Sequence, residues 1–499
     1  MKVLLIYPEY PATFWSFKHA LPFINKKVSL PPLGLLTVSS LLPKEWEKKL
    51  VDLNASDLKD EDIKWADYVF ISGMVVQRDS AKEVIIRAKS FGKTVVAGGP
   101  LFTNEYKDFK NVDVFILNEG EVTIPLFLKD VENNTLKHIY ISDEKPDLSR
   151  TPVPDWFLLN SAHYSSLSMQ ISRGCPHSCD FCDIIIMNGR IPRLKSPEQV
   201  LKEMDALFDY GWRGGVFIVD DNFIGNKIGA ERILTEIIKW MDERNKPFTL
   251  FTEASINLAD DEKLMSLMQK ANFDSVFIGI ETPEEEALIS CGKHQNTNKD
   301  LVEKVKILQR NGLEVQGGFI LGFDSDTQYT FDNMIKFIQK SGIVSAMVGL
   351  LHAIPETVLY KRLQSEKRII SSASCNNTDF TLNFIPQMKL DALMEGYNKV
   401  LDTLFAPKYY NKRIITYMKE YKKIAINNKL TFRIQMKALS KTIWKIGITG
   451  KGKFHFWKLM LWTILRKPAL ISEAVTYSIY GYHFRKVLFA NKSNRENAF

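Results

Sequence analysis

The sequence predicts an α/β protein in three parts: a doubly wound parallel sheet, a partial (β/α)6 barrel and a mainly α C-terminal extension. Three observations carry this prediction. Short β-rich runs alternate with helical stretches over residues 1–145. A second alternating series fills 160–370, and from 371 to 499 the β rhythm stops and the chain turns helical, basic and aromatic.

In the first series, "KVLLIY" (2–7), "KKLVDL" (48–53), "DYVFISG" (67–73), "KTVVAGG" (93–99) and "VDVFILNEGE" (112–121) read as buried strands closed by small or turn-forming residues. Between them, segments such as "RDSAKEVIIRAKSFG" space their apolar residues as a helix does. A parallel sheet of this kind binds ligands beyond the carboxyl ends of its strands. No G-x-G-x-x-G follows the first strand, which argues against a dinucleotide.

After the loop-like "SDEKPDLSRTPVPDWF", six further strands are predicted at 166–172, 215–221, 248–254, 274–281, 314–323 and 345–353. Helices such as "SPEQVLKEMDALFDYG" and "NKDLVEKVKILQRNG" lie between them, opened by Ser or Asn and closed by Gly. Six β/α units in this length suit a full or partial barrel, whose active site lies at the carboxyl mouth of the strands.

Composition bounds the function. Among 499 residues, 45% hydrophobic and 25% charged residues are ordinary for a globular chain, and only five cysteines argue against a disulfide-stapled secreted protein. The start "MKVLLIYPEYPATFW" lacks a signal-peptide pattern, so a cytoplasmic protein with reduced thiols is expected. The net charge of +8 is unevenly placed: residues 401–499 hold 20 Lys and Arg against 4 Asp and Glu. In "FHFWKLMLWTILRK", a helical projection sets Phe454, Trp457, Met460, Leu461, Ile464 and Leu465 against His455, Lys458, Arg466 and Lys467. Either this apolar face packs on the barrel or the basic helix meets an anionic membrane surface on the inner face of the membrane. No nucleic-acid-binding module accompanies the charge.

The chemistry concentrates in "SRGCPHSCDFCDI" (172–184), where Cys175, Cys179 and Cys182 are spaced C-x3-C-x2-C after the first strand of the second series. A structural zinc site usually shows a second Cys or His pair, and none follows. Three thiolates on a [4Fe–4S] cube leave one iron open. Spacing and position favour the cluster, with zinc as the alternative. Cys291 and Cys375 stand alone and read as ordinary thiols.

This loop resembles that of radical S-adenosylmethionine enzymes, including the aromatic Phe181 before the last cysteine. The resemblance implies that Cys175, Cys179 and Cys182 hold the cluster, that S-adenosylmethionine occupies the open iron, and that its cleavage yields a 5′-deoxyadenosyl radical. Other strand ends match the same pattern. Asp220, Asp221 and Asn222 fall where the family contacts the methionine amino group. Glu253, Ser255 and Glu281 suit ribose or methionine-carboxylate contacts, and Gly317, Gly318 and Gly322 of "GGFILGF" suit close approach to adenine.

The first series resembles the cobalamin-binding domain of cobalamin-dependent members of that family, through "PPLGLL" (Pro32, Gly34), "ISGMVV" (Ser72, Gly73, Met74, Val75), "GGP" (Gly98, Gly99) and "EGE" (Glu119, Gly120, Glu121). The D-x-H-x-x-G loop of other cobalamin proteins is missing, which implies cobalt bound without a histidine lower ligand; Tyr10, Met74, Val75 and Val76 are candidates to line that face. The whole chain resembles enzymes acting on hopanoids, archaeal tetraether lipids and bacteriochlorophyll. The implied activity is C-methylation of a lipid or other hydrophobic substrate, with a flavodoxin or ferredoxin-type electron donor. Ring-forming carbon–carbon coupling without methyl transfer is the alternative within the family. A non-catalytic cobalamin or iron–sulfur sensor is the alternative outside it, but a sensor has no use for the ordered acidic strand ends.

Overall fold

The structure, a computed structural model, describes residues 1–376, 378–423 and 432–490. The chain forms two compact units. The first gathers Met1–Ala12, Lys27–Met169 and Arg193–Trp212; the second gathers Thr13–Lys26, Gln170–Pro192 and the described residues from Arg213 on.

The first unit is built on a parallel sheet of β1 (Lys2–Tyr7), β2 (Glu47–Asp52), β3 (Tyr68–Ser72), β4 (Thr94–Gly98), β5 (Val114–Ile116) and β6 (Ile139–Tyr140), in the order β2-β1-β3-β4-β5-β6. The five predicted strands form, the fifth only over Val114–Ile116 because a helix already begins at Gly120. The sixth, only two residues long, carries too little pattern to be read from sequence. Alternate residues serve opposite faces: Leu4, Ile6, Val69, Ile71, Val95 and Ala97 bury on one side, and Val3, Leu5, Phe70, Val96 and Val114 on the other. Strand order reverses between β1 and β3, so the crevice at their carboxyl ends is the place where such a sheet receives a ligand. The first unit also includes β7 (Ser166–Met169).

Two short strands, β8 (Ser172–Arg173) and β9 (Arg193–Leu194), bound the stretch that contains the cysteines. In the second unit β10 (Gly215–Ile218), β11 (Thr249–Ala254), β12 (Phe273–Glu281), β13 (Glu314–Leu321) and β14 (Ala346–Leu350) pair in parallel in strict chain order. Consecutive order is the winding of a barrel rather than of a doubly wound sheet. With β7, all six strands predicted for the second series are present. The intervening helices begin where short polar side chains accept backbone N–H groups: Asp261 from Leu264 and Asp300 from Glu303. The second of these corrects the expected Asn cap: Asn298 takes a left-handed conformation (φ 54°) two residues earlier.

The extension is helical, with Leu390–Phe405, Pro407–Glu420, Phe432–Thr442, Lys453–Arg466 and Ile471–Ala490 as its main helices. It is anchored on the second sheet. Fully buried Arg413 donates to the carbonyls of Leu404 (3.0 Å) and Val344 (3.3 Å), and Tyr397 Oη donates to Val348 O (3.1 Å). Gly342, at φ 74°, has Tyr417 N 2.9 Å from where a Cβ would stand, so no larger residue fits beneath that helix.

Candidate active site

The cysteine loop is fixed from three sides within the second unit. Asp220, at the end of β10 and 1% exposed, accepts from Ile171 N (2.8 Å) and Ser172 Oγ (2.7 Å). Asp221 accepts from Gly174 N (2.7 Å) and Asn188 Nδ2 (2.9 Å). Gly174 lies at φ 102° and the carbonyl of Gly189 is 2.9 Å from its absent Cβ, so glycine is required just before Cys175. On the far side Asp180 N donates to Cys291 O (2.9 Å), and Gly292, at φ 72°, has Ser178 O 2.7 Å from its would-be Cβ.

The three thiols are free of disulfides. Cys179 is buried, and Gln295 Nε2 reaches its sulfur at 3.7 Å. Burial pushes the Cys182 thiol up to about 12 and also raises that of Cys175. A thiol in such surroundings ionises when a metal centre supplies the positive charge. Among the described residues no three His, Cys, Asp or Glu side chains converge to hold a single metal ion. A zinc ion needs its sulfurs about 2.3 Å from one point, whereas a cube spreads its ligands over separate irons. Three thiols at this spacing suit a cluster, and the thiol of buried Cys291, close enough to feel the charge of Cys179, bonds to Leu288 O (3.6 Å).

The neighbouring strand ends gather acidic and amide groups. Asn222, 4% exposed, exchanges hydrogen bonds with Ser255 through Nδ2 (3.3 Å) and Oδ1 (3.3 Å to Ser255 N), while Ser255 Oγ donates to Asn257 Oδ1 (2.5 Å). Glu253, on β11, is partly exposed, yet desolvation and then the carboxylates of Asp221 and Asp220 push its carboxyl up to about 7. Desolvation likewise raises Asp220 to about 6, although the Ser172 and Ile171 donors oppose it. Glu281 ends β12 in a left-handed conformation (φ 65°) that a glutamate rarely adopts, and Lys293 Nζ is 2.6 Å from its Oε1. Burial works against the charge on Lys293, but Glu281 and the nearby thiols hold its pKa above the ordinary value.

Phe181 lines a cavity of about 460 Å³, whose walls also include Phe323, Leu351, Cys291, Asp180 and Arg362. Its ring meets Phe323 edge to face at 6.2 Å. Gly322, at φ 106°, shapes the turn leading to Phe323, and Asp326 accepts the N–H groups of both (2.7 and 3.1 Å). Gly317 and Gly318 have a different setting: Phe319 and Ile343 crowd the first and Phe277 the second, with ring carbons 2.8 Å from a would-be Cβ. Their smallness serves packing inside the unit. Sequence reading missed Lys293 and Gln295; the only local signal was Gly292 in "CGKHQ", which marks the turn bringing both beside the thiols.

In the first unit the anticipated residues divide. Ser72, Gly73, Met74 and Val75 stand at the switch point, where Met74 is 45% exposed and its N–H is held by Gln77 Oε1 (2.8 Å). Pro32 starts the helix Leu33–Leu41, and a Cβ on exposed Gly34 would meet nothing within 4 Å. Past the end of β2 the surroundings are polar: Tyr164 Oη and Asn54 Nδ2 donate to the buried Asp52 (2.9 and 2.8 Å), and Tyr10 N donates to Asn54 Oδ1 (3.0 Å). Val75 and Val76 are partly buried. Other residues are engaged in holding the fold. Gly98 and Gly99 press against Ile116 O and Ser72 Oγ, Gly120 against Ile124, Glu119 pairs with Arg193 (2.7 Å), and Glu121 accepts from Thr151 Oγ1 (2.7 Å). His138 sits at the other end of the sheet on Asp113 O (2.9 Å), away from the crevice. Exposed Met74 and Gly34, with the amide and phenol groups bonded around Asp52, are the apolar and polar contacts a corrin ring and its amide edge would need.

The comparisons agree with this arrangement. Residues 169–338 match the radical SAM superfamily, and 357–497 match a domain of unknown function (DUF4070). The chain is 42% identical to an uncharacterized methyltransferase of Synechocystis sp., over 97% of this chain and 91% of that protein. It is 32% identical to the hopanoid C-2 methylase of Rhodopseudomonas palustris, over 100% of this chain and 95% of the methylase. Among solved structures, the cobalamin-dependent S-adenosylmethionine radical enzyme OxsB with aqua-cobalamin bound shares the fold at a TM-score of 0.63 and 14% identity, covering 99% of this chain and 81% of that one.

Proposed function

The chain belongs to the radical S-adenosylmethionine superfamily, among the methyltransferases related to hopanoid C-2 methylase, and from that premise we propose a cobalamin-dependent C-methyltransferase acting on an unactivated carbon of a hydrophobic lipid. The observation that carries the reading is the three-thiol loop, clamped by two adjacent carboxylates just past the end of one parallel strand. When bound, the [4Fe–4S] cluster with S-adenosylmethionine supplies a 5′-deoxyadenosyl radical for hydrogen abstraction, and cobalamin supplies the methyl group.

The chain's own residues position and shield. Cys175, Cys179 and Cys182 hold the cluster. Asp220 and Asp221 keep the loop's backbone in place through Ile171, Ser172 and Gly174, so they act as positioning residues. Asn222, Glu253 and Ser255 present acceptors and donors to the amino acid and ribose ends of S-adenosylmethionine, and the Glu281–Lys293 pair fixes the charge beside the thiols. The cavity between Phe181 and Phe323 takes the adenine ring, with Gly322 turning the backbone past it. In the first unit, Gly34, Gly73, Met74 and Val75 would border the cobalamin ring. Residues 1–145, 160–370 and 371–499 carry the cobalamin, radical and extension functions in turn. A flavodoxin or ferredoxin-type protein supplies electrons from the cytoplasm, and the extension meets an anionic membrane.

The test supplies the anaerobically reconstituted, cobalamin-loaded protein with a reductant, S-adenosylmethionine bearing a deuterated methyl group, and a hopanoid lipid fraction. The expected product is a lipid in which one deuterated methyl replaces one hydrogen. 5′-Deoxyadenosine release with carbon–carbon coupling or desaturation, and no methylated lipid, would overturn the methyltransferase reading.

A further inference from the structure

The helix Lys453–Arg466 has three faces where the sequence shows two. Phe456, Leu459, Met460 and Thr463 are buried against the rest of the extension. Of the six residues expected on the apolar face, only Met460 belongs to this buried side. The others are exposed: Phe454 by 74%, Leu465 by 70%, Leu461 by 59%, with Trp457 and Ile464 near half. Beside that exposed stripe stand Lys453, Lys458 and Arg466, also exposed. The basic residues therefore border the apolar stripe, and the face opposite it is the packed one.

A second segment enlarges the patch. Ile443–Ile448 is a short π-helical stretch that leaves Trp444 62% exposed and Ile448 about half exposed. Trp457 Nε1 donates to Gly447 O (2.9 Å), and Phe456 and Trp457 lie 3.0 and 3.2 Å from where a Cβ on Gly447 would be. Glycine thus lets the two segments close on each other, and the patch is a built surface rather than a loose end. Along residues 443–467, which hold the patch, the sequence carries six Lys and Arg and no Asp or Glu. Seven large exposed apolar side chains in one place far exceed the scattered ones an ordinary surface tolerates.

We propose that this two-segment patch is a membrane-docking surface that seats the protein on an anionic bilayer, with Trp444, Phe454, Trp457, Leu461, Ile464 and Leu465 entering the interface and the flanking lysines meeting lipid phosphates. Aromatic and aliphatic residues bordered by Lys and Arg, without an acidic residue, are what an anionic interface selects. Among the described residues no helix is long and apolar enough to cross a membrane, so the attachment is to one face. The inference rests on the proposed lipid substrate only for its purpose: docking would place the enzyme where a hydrophobic substrate is dissolved.

The test is co-sedimentation of the full chain with phosphatidylcholine vesicles, with and without about 30% phosphatidylglycerol. The expected result is at least tenfold more protein in the anionic pellet than in the neutral one. The double variants Leu461→Glu/Leu465→Glu and Lys453→Glu/Lys458→Glu, all at exposed positions, each lose at least tenfold of that binding while cleaving S-adenosylmethionine at the wild-type rate. Absence of the wild type from both pellets overturns the inference, as does wild-type sedimentation of both variants. So does a vesicle-free dimer that Leu461→Glu/Leu465→Glu converts to monomer, because the patch would then be covered by a second copy. None of these outcomes alters the test of methyl transfer.

Discussion

Acids gather at both ends of the second sheet, and only one end is built for chemistry. At the carboxyl ends, Asp220, Asp221 and Glu253 lie beside the cysteine loop; at the amino ends, Asp274 starts β12 and Glu314 starts β13. Desolvation raises acids at both ends: Glu253 to about 7 and Asp220 to about 6, Glu314 to about 8 and Asp274 to about 6. A perturbed carboxyl is therefore no mark of a site here. What differs is the partner. Asp220 and Asp221 serve backbone N–H groups of a loop that carries three thiols. Glu314 faces Ser345 Oγ (3.5 Å) and the hydroxyl of Tyr477, from the extension that closes that end. Constellation, not burial, assigns function.

Removing the loop's support should give the largest effect on folding. Asp220→Ala leaves the buried Ile171 N–H and Ser172 hydroxyl without their acceptor, a loss of about 2 kcal/mol or more. The expected outcome is a lower Tm together with reduced iron retention after reconstitution. Asp220→Asn, which keeps one acceptor oxygen, should recover part of both. If Asp220→Ala held its full cluster with wild-type Tm, the clamp would be unnecessary and the contrast between the two ends would weaken.

A smaller effect separates Glu253 from Glu314. A carboxyl whose pKa is raised in the folded state binds more protons folded than unfolded, so stability falls as pH rises from about 4.5 towards the folded pKa. For Glu314 that window reaches about 8, and the slope cannot exceed about 1.4 kcal/mol per pH unit. Glu314→Gln should flatten the decline of Tm between pH 5 and 8 and leave S-adenosylmethionine binding unchanged. Glu253→Gln should instead weaken that binding severalfold above pH 7, where the wild-type carboxylate is ionised and accepts from the ligand. Calorimetric titration at pH 6 and 8 reads the difference, and equal behaviour of the two variants would erase it.

Much of this was legible in the sequence, for identifiable reasons. Strands buried on both faces are continuous apolar runs, so all eleven predicted strands and the cysteine loop at a strand end could be read directly. Asp220 and Asp221 were readable as strand-end acids, but their service to Ile171, Ser172 and Gly174 depends on contacts across about 50 residues of chain. Lys293 meets Glu281 across only 12 residues, through a turn at Gly292 whose outcome a single glycine does not spell out. Gly317 and Gly318 were read as room for a ligand because sequence records a missing side chain without recording what fills the gap; Phe277, Phe319 and Ile343 fill it. The Lys453–Arg466 helix shows the corresponding limit for amphipathic patterns, since an apolar sector carries no label saying whether protein covers it.

The central claim is that three thiolates and an open coordination position make this a radical S-adenosylmethionine enzyme. It is tested most directly by measuring 5′-deoxyadenosine and iron in anaerobically reconstituted wild type and Cys179→Ala. The wild type should hold about four irons per chain and form 5′-deoxyadenosine in a reductant-dependent way, and the variant should lose most of the iron and all but a trace of product. No 5′-deoxyadenosine from the wild type with any reductant, or a Cys179→Ala protein that keeps its full iron load, would contradict it.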